Sequence, residues 1–172
     1  MPRELLIGCG NSRVKQIANK GQEAFDDLVT LDSKSDCGAD IIHDLDILPY
    51  PFKDGEFDEI HAYCVLEHCG KQGDWRFFFA QFSEFHRILR PNGLFFGICP
   101  THTSEWAWGD PSHTRVIPRF SLGFLSQKMY ECDVGVSSRS DFRSIYKCDF
   151  SIAYVGDYDE HRHSFVLQAL KE

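Results

Sequence analysis

Two groups of residues in this sequence have the types and spacing to do chemistry. The first is Gly8-Cys9-Gly10-Asn11-Ser12, with Asp32 about 20 residues further on. A glycine-bearing turn lets a ligand approach the backbone closely, and a carboxylate at the end of the next strand can accept from both hydroxyls of a ribose. The second group is Glu67-His68 together with the segment from Pro100 to Arg115, PTHTSEWAWGDPSHTR. It holds His102, Glu105, Trp106, Trp108, Asp110, His113 and Arg115. Histidine at neutral pH can take or give a proton, and a loop so rich in tryptophan, histidine and charge is costly to leave exposed unless it binds something.

These residues need elements to hold them. Residues 4–8 (ELLIG), 28–31 (LVTL), 41–43 and 57–62 are short apolar runs bounded by turn signals that read as strands, the first of them buried. A helix is expected near 13–25, with Val14, Ile17, Ala18 and Phe25 on one side. The strongest helix lies between 74 and 90. Asp74 is placed to cap it, and Trp75, Phe78, Phe79, Phe82, Phe85 and Leu89 recur at helical spacing. That spacing makes Phe77, Phe78, Phe79, Phe82 and Phe85 core residues and not a base-stacking platform. Pro91 must stop the helix, Asn92-Gly93 supplies a turn, and a fifth strand follows at 94–99. Alternation at 148–155 and 163–170 around a polar turn predicts an antiparallel hairpin, and 118–130 is a weaker helix interrupted by Gly123. Strands alternating with crossovers predict an α/β fold, a Rossmann-like sheet, mostly parallel, with an antiparallel C-terminal hairpin.

Composition narrows the function. At 172 residues with 42% hydrophobic side chains and 15 Phe, the chain is long enough for one well-packed domain and too apolar to be disordered. A net charge of −8 argues against polymeric nucleic acid or an anionic membrane as partner. No apolar run approaches the length of a membrane span. Seven cysteines without a CxxC pair fit reduced thiols that pack as small hydrophobes, and a cytoplasmic location is expected. His61, Cys64, His68 and Cys69 straddle a strand end and a helix start and cannot easily converge, so no metal is assigned.

The ligand at the first group is separated by its third glycine. Dinucleotide folds use GxGxxG to pack a helix behind a pyrophosphate, and position 13 here is Arg. That disfavours a nicotinamide oxidoreductase and fits a nucleoside ligand without phosphate. Across residues 5–100 the chain resembles a class I S-adenosylmethionine (SAM)-dependent methyltransferase of the small type 11 kind. Five blocks carry the resemblance in order: LLIGCGNSR, LVTLD, IIHDLDILPYPFKDGEFDEIHAYCVLEH, FHRILRPNG and LFFGICP. It implies SAM as cofactor and S-adenosyl-L-homocysteine as product. Gly8, Cys9, Gly10 and Asn11 would line the methionine and ribose part, and Asp32 with Ser33 the ribose hydroxyls. Asp44 would take the adenine amino group and the Leu45 amide an adenine nitrogen, with Tyr63 near the methionyl tail. A helix start at Asn11 and Ser12 would favour the ligand's carboxylate. The family's N-terminal helices are not seen before the first strand, and only Ser33 to Ala39 separates Asp32 from the third. The adenine side is then thinly covered, and a homodimer is one way to supply a wall.

One domain over residues 1–172 is expected, with the SAM-binding core at 3–100 and the acceptor loop and hairpin at 101–172. The resemblance implies an enzyme that methylates an O or N atom of a small molecule, sugar or nucleotide-type acceptor. The sequence AYCV after the fourth strand lacks the (D/N/S)PP(Y/F) motif of DNA amino methyltransferases and the Pro-Cys pair of cytosine-C5 enzymes. His113 is the first choice for general base and His68 the next, although for either one taken alone a structural hydrogen bond that pins a loop is the plainer reading. Glu67, Trp106, Trp108, Asp110 and Arg115 are expected to contact the acceptor. Asp110-Pro111-Ser112 also reads as an ordinary turn. The alternative is a non-catalytic SAM-binding or structural partner that keeps the fold.

Overall fold

The computed structural model describes residues 1–171. Seven strands form one sheet: β1 (Arg3–Ile7), β2 (Asp27–Asp32), β3 (Ile41–Ile42), β4 (Phe57–Tyr63), β5 (Leu89–Pro100), β6 (Asp149–Asp157) and β7 (Arg162–Leu170), in the order β3-β2-β1-β4-β5-β7-β6. The pairs among β1 to β5 are parallel, and β7 pairs antiparallel with both β5 and β6. The chain runs outward from β1 to β3 and restarts at β4 on the other side of β1. Ligands of open α/β sheets bind at the carboxyl ends of strands beside such a reversal.

Alternation along the strands sorts side chains onto two faces. On one, Leu5, Ile7, Ile60, Ala62, Phe95 and Cys99 share a core with Phe79, Phe82, Phe85 and Ile88 of α1 (Trp75–Ile88). Phe77 and Phe78 sit at the flank of that core, half-buried. Asp74 caps the helix by accepting from the Phe77 amide at 3.0 Å. The helix ends at Ile88, before Pro91, and β5 begins at once, with Leu89 paired to Phe57.

The other face departs from expectation. No helix forms at 13–25. Lys20 (φ 48°) and Gly21 (φ 83°) make a tight turn that bridges Asn19 to Gln22, and Ile17 and Phe25 cover Leu6, Cys9, Tyr63 and Ile98 as an irregular layer. The same alternation points Glu4, Glu59 and His61 into this face, all buried, and Lys15 reaches in to meet both carboxylates. This irregular path brings the Lys15 ammonium group to the sheet, between Glu4 and Glu59.

After β5 come α2 (Glu105–Gly109), α3 (Arg119–Leu122) and α4 (Gln127–Asp133). The helix expected over 118–130 is broken, because Ser126 is extended and the Gln127 amide donates to Asp149 at the start of β6. No helix among the described residues is long and apolar enough to cross a membrane.

One buried histidine predicts an acid response. His163 on β7 is 1% exposed, its Nε2 has no partner, and burial followed by the Arg119 charge pushes its pKa down to about 4. A folded pKa below the unfolded value of about 6.5 means that stability is full above pH 6.5 and drains as pH falls towards 4. The loss should be about 2–3 kcal/mol. His163→Leu, which cannot titrate, should flatten the fall in melting temperature between pH 7 and 4.5. An unchanged slope would assign the acid response to other groups.

Candidate active site

At the carboxyl end of β1, Gly8 and Gly10 both adopt positive φ, 62° and 49°. They are glycine for different reasons. A Cβ on Gly8 would lie 2.2 Å from Val65 Cγ2, whereas one on Gly10 would meet nothing within 4 Å. Gly8 packs the turn against the segment after β4, and Gly10 faces open space. Asp32 ends β2 beside it. One carboxylate oxygen accepts from the Gly10 amide at 2.8 Å and the other from the Lys34 amide at 2.9 Å, so the group is fixed and its remaining lone pairs are free to accept. Asp32 itself is buried, 8% exposed, while the side of Gly10 that a Cβ would occupy is open.

The other residues expected around a nucleoside are placed unevenly. Asn11 and Ser33 are exposed on the same rim, and Cys9 is buried between Asp32 and Cys37, its thiol pushed up to about 11 by burial. No helix starts at Asn11–Ser12. The Ser12 amide closes a turn onto the Cys9 carbonyl, and Arg13 ties the turn to the Cys37 and Gly38 carbonyls. Asp44 is exposed, with one oxygen accepting from the Asp46 amide. Leu45 is buried, and its carbonyl accepts from the Tyr50 hydroxyl. Tyr63 is turned into the second face. Its hydroxyl meets His61 Nδ1 at 2.7 Å and accepts from the Ile17 amide, so it serves packing there.

Beyond β4 and β5 lies a cavity of about 400 Å³, lined by Cys64, Glu67, His68, Trp106, Asp110 and His113 and closed from the hairpin side by Asp159, His161 and Arg162. Glu67 and His68 stand on a 3₁₀ turn (Leu66–His68) directly after β4, and the Thr114 and Arg115 amides both donate to the Glu67 carbonyl. That pairing brings the loop after β5 across to the end of β4. The His68 and His113 rings meet edge to face with centroids 4.6 Å apart. His68 Nδ1 lies 3.2 Å from the Ser112 carbonyl, and His113 Nε2 lies 3.8 Å from Asp110 Oδ2. Glu67 is 2% exposed, yet neither carboxylate oxygen has a partner, and His113 Nδ1 is likewise buried and unpartnered. Burial pushes the Glu67 carboxyl up to about 7.

Two expected contacts are turned away. Arg115 is buried, donates to the Leu66 carbonyl and to Gln81, and borders a separate apolar cavity of about 210 Å³ beside Trp75 and Phe124. Its charge holds a turn and is not presented to an acceptor. Trp108 is exposed, with its indole N–H on the His102 carbonyl, while Trp106 lines the cavity. Sequence reasoning missed Asp159, His161 and Arg162, because only the pairing of β7 with β5 brings the hairpin tip here. Cys64 carried a usable signal: its place at the strand end, where it adopts φ 51°.

The family profile of a methyltransferase domain (type 11) matches residues 5–97, more than half of the chain, and the chain belongs to that family. A search of curated protein sequences gave no match. Among solved structures, a SAM-dependent methyltransferase from Aquifex aeolicus superposes with a TM-score of 0.59 at 11% identity, over 98% of this chain and 82% of that one. Another from Archaeoglobus fulgidus gives 0.58 at 14% identity, over 97% and 86%. The N-methyltransferase NodS from Bradyrhizobium japonicum, in complex with S-adenosyl-L-homocysteine, gives 0.59 at 12% identity, over 99% and 79%. The fold is that of class I methyltransferases, and SAM is the cofactor of the family.

The Asp32 carboxylate gives a direct binding test. Asp32→Ala removes a charge-assisted contact worth about 1.5–3 kcal/mol, so SAM affinity should fall about tenfold to a hundredfold by calorimetry. It also strips a partner from the Gly10 and Lys34 amides. A modest drop in melting temperature is therefore expected beside the affinity loss. Unchanged affinity would remove the ribose assignment.

Proposed function

We propose that the protein is an enzyme transferring the methyl group of SAM to an O or N atom of a small-molecule, sugar or nucleotide-type acceptor held in the cavity between β4, β5 and the hairpin tip. The carrying observation is the pair of buried, unpartnered groups there, Glu67 and the His113 Nδ1. An unsatisfied buried polar atom costs about 1–3 kcal/mol, and such groups persist where a ligand will satisfy them.

Gly10 and Asp32 would hold the nucleoside at the ends of β1 and β2, with Asp44 and the Leu45 amide towards its base, and Asn11 and Ser33 on the rim. Bound there, SAM supplies a methyl on a positively charged sulfur, already activated for in-line displacement. The chain then has to position the acceptor and, for a hydroxyl, remove its proton. Trp106 offers an apolar wall, and the Asp110 carboxylate lies 3.8 Å from His113 Nε2. His113 Nδ1 takes the acceptor proton, with His68 as the alternative base. Net charge −8 supports a small acceptor over polymeric nucleic acid.

Radiolabelled SAM incubated with fractionated host metabolites and macromolecules tests this reading. Label should enter a low-mass fraction, with release of S-adenosyl-L-homocysteine. Label found only in protein or polymeric nucleic acid would overturn the acceptor class. Tight SAM binding without turnover in any fraction would favour a non-catalytic SAM-binding protein.

A further inference from the structure

Among the described residues, side chains of metal-ligand type gather in three places. Two of them, Glu4–Glu59–His61 and Cys9–Asp32–Cys37, are closed by their own partners: Lys15 lies between the first pair of carboxylates, and the Asp32 carboxylate takes the Gly10 and Lys34 amides. The third is Glu67, His68 and His113, which opens into the acceptor cavity. This is not the set that spacing brought to notice: His61 lies with Glu4 and Glu59 on the far face, and the Cys69 thiol donates to the Val65 carbonyl.

The geometry points to a divalent transition-metal site formed by Glu67, His68 and His113. One ligand atom from each lies within 4.8 Å of the others. Ligands about 2.1 Å from a tetrahedral ion stand about 3.4 Å apart, so binding would draw the three side chains together by up to about 1.4 Å. Each histidine has one ring nitrogen turned to an oxygen, His68 Nδ1 to the Ser112 carbonyl and His113 Nε2 to Asp110. That leaves His68 Nε2 and His113 Nδ1 as the ligand atoms; the Ser112 carbonyl fixes the tautomer of His68, while Asp110, 3.8 Å from His113 Nε2, is a nearby charge and not a hydrogen-bond partner. The Glu67 carboxylate supplies the anionic ligand, and no protein donor competes for its oxygens. Two imidazoles and one carboxylate suit Mn²⁺, Co²⁺ or Zn²⁺, whereas Mg²⁺ and Ca²⁺ take oxygen ligands. Three protein ligands leave coordination positions open towards the cavity, where an oxygen-bearing acceptor would bind.

The last point rests on the acceptor-site reading; binding of the ion does not. With an ion in place His113 is a ligand, and the proton-accepting role assigned to it in the ion-free site lapses.

The test uses chelator-dialysed, tag-free protein titrated with Mn²⁺, Zn²⁺ or Co²⁺ alone, without SAM or acceptor, by calorimetry and, for Co²⁺, by visible absorption. One ion per chain is expected. Glu67→Gln, His68→Ala and His113→Ala should each weaken binding at least tenfold, while His161→Ala leaves it intact. His68 is exposed, so its variant keeps the test valid if the two buried replacements disturb folding. Substoichiometric binding, or affinity lost with His161→Ala but not with His68→Ala, would overturn the site. No ion bound in these titrations, with SAM still bound or methyl still transferred, would sink the metal site and leave the methyltransferase reading standing. An ion bound here without SAM binding would do the reverse.

Discussion

Lys15→Met should lower the stability of the protein by about 3–5 kcal/mol, the range for removing one partner from a buried ionic group. The Lys15 ammonium has no exposed surface and lies between Glu4 Oε1 and Glu59 Oε2, the second at 3.1 Å. Burial pushes the Glu59 carboxyl up, but hydrogen bonds from His61, Asn19 and Lys15 outweigh it and hold the group at about 2. Without the lysine, two carboxylates on adjacent strands face each other in a desolvated layer with only His61 between them. Methionine keeps the volume of the stem, so the measured loss reports the charge. Urea unfolding of the parent, the variant and Lys15→Met combined with Glu59→Gln separates the contributions, since the double variant should recover part of the loss. A single variant as stable as its parent would mean that the cluster is solvated.

Assayed in chelator-dialysed protein, His113→Ala should reduce turnover by about a hundredfold or more, within the range for loss of a general base, and leave SAM affinity nearly unchanged. The separation follows from topology: the nucleoside side is built at the ends of β1 and β2, and His113 sits in the loop after β5. A loss of only a few-fold would make His113 an orienting residue, and His68, in edge contact with it, would carry the proton. Equal losses in SAM affinity and turnover would instead place His113 on the cofactor side. Steady-state kinetics beside calorimetry distinguishes the three.

The sheet was legible because its signals are local. Short apolar runs closed by Asp32, Tyr63 and Pro100 mark strand ends, Asp74 and the phenylalanine spacing mark α1, and the alternation at 148–170 marks the hairpin. The layer over the second face was not. Val14, Ile17, Ala18 and Phe25 have helical spacing, but Lys15 is pulled out of that pattern by Glu4 and Glu59, residues that become neighbours only when β1 pairs with β4. The candidate site divides in the same way. Gly8, Gly10 and Asp32 are set by one turn and one strand pair, and the sequence places them. Arg115 and Trp108 carry attractive chemistry in the loop, yet the Leu66 and His102 carbonyls capture them, and no local pattern encodes those bonds. The contribution of the hairpin tip depends on an antiparallel register spanning most of the chain.

A crystal structure of the protein grown with S-adenosyl-L-homocysteine tests the central claim most directly. The ribose hydroxyls should lie on the Asp32 carboxylate, with the ligand passing over Gly10. The sulfur should face the Glu67–His68–His113 cavity across the width of one acceptor group. A ligand bound elsewhere, or a sulfur turned to the far side of the sheet from His113, would contradict it.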